Sequence, residues 1–173
     1  FEFTDGPPAG PVPTRLRCPR DTQWHRPDSR AGHRVSQRHG RHRGQPHAGV
    51  ADSYRHRLLG FDIGAAGSLS GHRVWADLGD ATPDGICLDA EAAWYADVPR
   101  QYCVRVAEGG QRLATVPLDR GGFACMVGGT DGPSLYVIAA RWPGMAGLGG
   151  DAPWKGQVLR TQVTIPGAGW PAR

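Results

Sequence analysis

The sequence predicts an all-β chain built from short antiparallel strands. Three observations carry that reading. Gly 26 and Pro 15 are high counts for a packed helical protein of 173 residues and suit a turn-rich β architecture. From Ala51 onward, apolar runs of about five residues are separated by turn signals. No segment carries the apolar spacing of a long amphipathic helix. A length of 173 residues is a prior for one domain with a core of ordinary size.

The expected strands follow in order. Arg57–Ile63 is the first, closed by the turn Gly64-Ala65-Ala66-Gly67, and His72–Leu78 follows. Pro83-Asp84-Gly85 is a turn signal that leads into the apolar strand Gly85–Leu88. The acidic turn Asp89-Ala90-Glu91 separates it from Ala93–Ala96, and Tyr102–Ala107 and Arg112–Val116 come next. Phe123–Val127, Leu135–Ala139 and Gln157–Val163 complete the set. The order repeats. A Pro-Asp-Gly turn, an apolar strand, an acidic turn, a W-Y-A strand and a V-R-V strand make one four-stranded unit. Phe123 onward repeats it, with the Gly129-Thr130-Asp131-Gly132 turn in the acidic position. Four-stranded units recurring at roughly 40–50 residues are the signature of propeller blades, and a two-sheet sandwich shares the pattern.

Net charge +4 points to an anionic partner only until the charge is located. Thr14–Val50 holds nine Arg against Asp21 and Asp28, whereas Ala51–Arg173 is close to neutral. Five of the seven His also fall in that stretch, at His25, His33, His39, His42 and His47. A basic arm that binds nucleic acid and a His-rich metal tract through His39, His42 and His47 are two readings of it. A third is an out-of-frame translation of GC-rich DNA. The chain opens on Phe1, not Met, and reads as a piece of something longer. No apolar run approaches the roughly 18 residues of a membrane span, so the chain reads as soluble and cytoplasmic. Cys18, Cys87, Cys103 and Cys125 form no C-x-x-C pair, and the last three sit among strand residues, which favours buried reduced thiols.

In order and spacing, several segments resemble the senescence-marker-protein/gluconolactonase/luciferin-regenerating-enzyme family of six-bladed β-propellers. They are A-D-S-Y-R-H-R-L, G-S-L-S-G-H-R-V-W-A-D-L, T-P-D-G-I-C-L-D-A-E, F-A-C-M-V-G-G and P-G-A-G-W-P, spread over Ala51–Pro171. The resemblance implies a partial six-bladed propeller of about two to three blades after an irregular segment, 1–50. It also implies hydrolysis of a sugar lactone assisted by a divalent metal, calcium or zinc. Asp84 matches the family's ligand aspartate and would serve as metal ligand and as the catalytic base. By itself, an Asp in Pro-Asp-Gly is most often a turn residue.

The resemblance also sharpens the frame reading. Shifting each triplet from Val35 through Gly49 by one nucleotide permits the string F-P-N-G-M-A-V-T-A-D-N-R-T-L-V, which is similar to the family's segment upstream of A-D-S-Y. The asparagine of that P-N-G turn is the family's second metal ligand, and here its codon is divided between Gln37 and Arg38. The third, a glutamate, would lie before Phe1, and Glu2 does not match it. The chain as written is therefore expected to bind metal weakly and to turn over little or no lactone. The alternative is a non-catalytic propeller or sandwich that serves as a binding module. The expected partner is a small sugar lactone, with neither nucleic acid nor membrane.

Other candidates have simpler readings. Asp52, Ser53 and Tyr54 could line the channel, though Asp-Ser in a turn is commonly a local hydrogen-bonding device. Ser53 and His56 lack the glycine pattern of a nucleophile elbow. Trp75, Trp94 and Tyr95 read as core, and Cys125 and Met126 as packing close to the pocket floor.

Overall fold

The computed structural model describes residues 38–42, 45–64, 67–144, 147 and 156–168. Among them are eleven strands in three antiparallel sheets. The first sheet is β1 (Arg38–His42), β2 (Gln45–Asp52), β3 (Arg57–Ile63) and β4 (Leu69–Asp77), in that order. The second is β5 (Pro83–Leu88), β6 (Ala93–Asp97), β7 (Tyr102–Val106) and β8 (Arg112–Pro117), again in chain order. The third runs β11-β10-β9, from Gly156–Gln162, Ser134–Ala140 and Gly121–Gly128. Each expected strand from Arg57 onward is present. β4 starts at Leu69 rather than His72, and β9 at Gly121 rather than Phe123.

Strands also begin before Ala51, inside the stretch expected to be irregular. β2 pairs with β3 through Ala48↔Phe61, Val50↔Leu59 and Ala51↔Leu58, and β1 pairs with β2 through Arg38↔Gly49 to His42↔Gln45. Ladder bonds are made by the main chain, so an Arg/His/Gly sequence can join a sheet without an alternating apolar pattern to announce it. Cys18, Glu2 and the side chains of His39, His42 and His47 lie outside the described residues.

The second sheet is covered on both faces, and this decides the architecture. One face sets Ile86, Ala93, Tyr95, Val104 and Val106 against Ala51, Leu58, Ala76 and Leu78 of and beside the first sheet. The other sets Cys87, Trp94 and Cys103 against Cys125, Val127, Leu135 and Val137 of the third. All five residues of β6 are buried, because alternate side chains enter two different cores. Three sheets stacked face to face exclude a two-sheet sandwich and give three blades of a partial propeller, the all-β class expected. The first strand of the middle blade, β5, contacts both β2 and β9, which places it where neighbouring blades converge. The far face of the third blade is less covered: the paired residues Ile138 and Val158 are 54% and 56% exposed.

Among the described residues no helix is long and apolar enough to cross a membrane. Trp94 and Tyr95 are buried and Trp75 packs partly buried against the first core, as the core reading of all three anticipated.

Candidate functional site

Asp84 is the second residue of β5 and is half-buried. Its position follows from a bulge. Pro83 pairs with Asp97 and Ile86 with Tyr95, so β5 advances one residue more than β6 between the two pairs. A bulge bends the strand and re-aims the side chains within it, and the two residues inside this one are Asp84 and Gly85. The glycine is required by distance. A Cβ on Gly85 would lie 2.6 Å from the Ala124 Cα and 2.6 Å from the Phe123 carbonyl oxygen, so two blade-leading strands touch there backbone to backbone.

The three residues before Asp84 are each held by a hydrogen bond from another part of the chain. His56 Nδ1 donates to the Ala81 carbonyl at 2.7 Å, the Thr82 N–H donates to buried Asp97 Oδ2 at 2.7 Å, and the Ser53 hydroxyl donates to the Pro83 carbonyl at 2.5 Å. Ser53 and His56 come from the 3-10 turn Ser53–Arg55 and the left-handed residue that closes it, His56 at φ 55. Each is thus engaged with a separate backbone carbonyl rather than joined as nucleophile and base. Asp52 is buried and ion-paired to Arg57 at 3.0 Å, and it is not among the residues that line the cleft beside Ser53 and Tyr54. Asp97 also accepts the Arg100 N–H at 3.0 Å, and Arg100 reaches on to Asp80 at 2.7 Å. That guanidinium holds the Asp80 carboxyl below its ordinary range.

These braces frame a cleft of about 200 Å³. Asp84, Thr82, Ser53 and Tyr54 line it together with Phe123 and Trp142. Phe123 and Trp142 meet edge to face, their centroids 5.9 Å apart and their planes at 70°. Asp84 is the sole charged residue among the described residues lining the cleft. Cys125 and Met126 do not line it: Cys125 is buried with its thiol 3.5 Å from that of Cys87 and 3.6 Å from the Gly85 carbonyl. Cys87, Cys103 and Cys125 are buried, and no disulfide joins them to one another.

Two features were out of reach of the sequence pattern. Phe123 and Trp142 reach the cleft across 39 and 58 positions from Asp84, and no local motif marks such convergence. The acidic turn holds the other. Asp89 is a buried hub that accepts the N–H groups of Glu91 and Ala92, the Trp94 indole at 2.8 Å and the Arg105 guanidinium. Burial pushes its carboxyl up, but the bond from Arg105 and the two N–H groups outweigh that and leave it below its ordinary range.

The resemblance implies a divalent metal here, and the donor set can be tested for it. Calcium takes 6–8 oxygens and zinc normally at least three protein ligands. Among the described residues no three of His, Cys, Asp and Glu converge, and Asp84 is the cleft's one carboxylate. The described residues do not make a metal centre by themselves.

Comparison with known proteins agrees with the fold. A search of curated protein sequences returns no match. Similar solved structures include a luciferin-regenerating enzyme (24% identity, TM-score 0.56) and a calcium-binding protein, regucalcin, from Agrobacterium tumefaciens strain C58 (19% identity, TM-score 0.55). In each case the match covers 70% of this chain and only 43% of the other. At these identities the likeness is one of fold. The family model described as the SMP-30/Gluconolactonase/LRE-like region matches residues 48–141, more than half of the chain and the whole run from β2 core to β10. The chain therefore belongs to the SMP-30/gluconolactonase/LRE-like family.

Proposed function

We propose that this chain is a C-terminal part of a sugar-lactone hydrolase and that, alone, it hydrolyses little or no lactone. The observation that carries the reading is Asp84, set on a bulge at the start of the middle blade's first strand and lining a cleft, within the family's matched region. A carboxylate so placed can accept a proton from an attacking water. Ester hydrolysis also needs a donor or cation where negative charge develops on the carbonyl oxygen. Among the described residues the cleft offers one carboxylate, with the hydroxyl-bearing residues Ser53 and Thr82 beside it. The divalent metal of the family, calcium or zinc, would bind weakly to a single carboxylate. The substrate class, a sugar lactone, comes from family membership.

The test is a lactone-hydrolysis assay with added calcium or zinc on two proteins. One is the chain as written; the other has the frame of 35–50 restored and the missing blades supplied. The first should stay at background and the second should hydrolyse lactone, losing activity with Asp84→Asn. Metal binding by the first chain at micromolar affinity or tighter would overturn the weak-site reading, and an inert second protein would overturn the lactonase reading. The rival, a non-catalytic binding module, draws support from the aromatic walls of the same cleft.

A further inference from the structure

We propose that Asp131-Gly132, in the loop between β9 and β10, is a site of covalent ageing at which aspartate isomerises to isoaspartate. The chain contains no asparagine, so isoaspartate can arise in it only from aspartate. Asp-Gly is the pair most open to that reaction, because glycine has no side chain to hinder its own main-chain nitrogen. The pair occurs at Asp5-Gly6, Asp84-Gly85 and Asp131-Gly132, and the first lies outside the described residues. In the reaction the Gly132 nitrogen bonds to Asp131 Cγ, while its proton and the hydroxyl of the carboxyl leave together as water. A second water then opens the succinimide ring. Where it breaks the bond between that nitrogen and the Asp131 main-chain carbonyl carbon, the chain continues through Cβ and Cγ and a carboxylate is left on Cα. No oxidant, reductant or metal takes part.

The fold treats the two described pairs in opposite ways. Gly129, Thr130, Asp131 and Gly132 are all exposed and belong to no strand. Asp131 carries no hydrogen bond or ion pair among the described residues, and the Gly132 N–H is in no ladder. Gly132 stands at φ 114, and a Cβ built there would meet nothing within 4 Å, so nitrogen and carboxyl have room to swing together. Opening such a loop costs little free energy. Asp84-Gly85 is the contrast. It lies inside β5, the three residues before it are tied down, and Gly85 touches the main chain of β9. Ring closure there requires β5 to part from β9. The product at Asp131 bears on the third blade, because isoaspartate adds one atom to the main chain of a close-set loop. A Cβ on Gly129 would already lie 2.5 Å from the Gly132 carbonyl oxygen. Just beyond the loop, buried Ser134 pairs with Gly128 and Gln162 and accepts two bonds from Arg160, so the head of β10 is where the added atom acts.

This site does not depend on lactone hydrolysis, and its test compares the full folded chain with the same chain in urea. Both are incubated for several weeks at body temperature in mildly acidic buffer, digested with trypsin, and mapped by mass spectrometry with fragmentation that separates aspartate from isoaspartate. Asp131 should convert in the folded chain at a rate within about threefold of that in urea, whereas folding should slow Asp84 by about tenfold or more. The succinimide, lighter by one water, should appear in the folded chain at Asp131. The new carboxylate should make peptide 121–141 of the aged chain a methyl acceptor for a protein-isoaspartate methyltransferase supplied with S-adenosylmethionine. Asp131→Glu, whose longer side chain closes a ring poorly, should remove that signal and leave the melting temperature unchanged. Protection of Asp131 by folding as strong as that of Asp84 overturns the proposal, as does isoaspartate in the folded chain confined to other positions. Equal conversion of both pairs in the folded chain also overturns it, since the fold would then not be what selects Asp131.

Discussion

Arg105 grips both oxygens of Asp89, with Nε 2.6 Å from Oδ2 and Nη2 3.0 Å from Oδ1. The carboxylate is fully buried, and it also closes its own turn through the N–H groups of Glu91 and Ala92. One side chain therefore ties β5, the turn, β6 through Trp94 and β7 through Arg105 into a single blade. The same turn meets the last described segment, where Asp89 bridges Gly167 and the Ala90 N–H donates to the Pro166 carbonyl.

Removing the cation should cost far more than removing a surface pair. Arg105→Leu strands a buried charge, and the expected loss is about 3–5 kcal/mol in urea unfolding. By contrast, Arg73→Leu, whose ion pair with Asp62 is largely exposed, should cost no more than about 1 kcal/mol. Similar losses for the two would show that the Asp89 hub is not what holds the blade.

Acid should act on the same hub. The Asp89 carboxyl lies below its ordinary value of 3.8 in the folded chain, so the unfolded chain takes up the proton first as pH falls. Its contribution is therefore complete above the ordinary carboxylate value and disappears as pH drops through the lower folded value. Unfolding free energies measured between about pH 6 and pH 2 should decline less steeply in Asp89→Asn than in the parent.

Gly85→Ala is the sharpest test of the blade junction. The added methyl would sit 2.6 Å from Ala124 Cα and from the Phe123 carbonyl, both of them backbone, so a strand must move. A loss of about 1–3 kcal/mol is expected. Unchanged stability would mean β5 and β9 are less closely set than described.

Among the described residues, two buried hydroxyls, Tyr95 OH and Tyr102 OH, have no hydrogen-bond partner. Burial pushes the Tyr95 phenol from 10.0 up to about 12. An unpaired buried hydroxyl is a liability, so Tyr95→Phe should leave stability unchanged or raise it by about 1 kcal/mol. The phenol of the unfolded chain ionises first as pH rises past 10, so the parent should lose stability between about pH 10 and 12, and the variant should lose less. A loss of 2 kcal/mol or more in the variant, about the worth of a good buried bond, would reveal a partner for that oxygen.

Strand positions from Arg57 onward were legible because each five-residue run carries its own alternation and its own Gly, Pro or Asp stop. Asp84 was legible as a candidate for the same local reason, a Pro-Asp-Gly turn at the head of an apolar strand. β1 and β2 were not, since a hairpin that joins an existing sheet by main-chain bonds leaves no apolar period in Arg38–His42. Ser53 and His56 were visible as residues but not in role: their partners, Pro83 and Ala81, lie 30 and 25 positions away.

By itself the sequence determined the all-β class, the repeating unit and the acid that heads the middle blade, because these are written in neighbouring residues. Only the tertiary structure decided that β6 is buried on both faces, which makes three stacked blades rather than a sandwich. It also decided that Asp84 shares its cleft with Phe123 and Trp142, far from it in the chain. Those outcomes depend on which sheets pack against which, and packing brings together residues that chain order keeps apart.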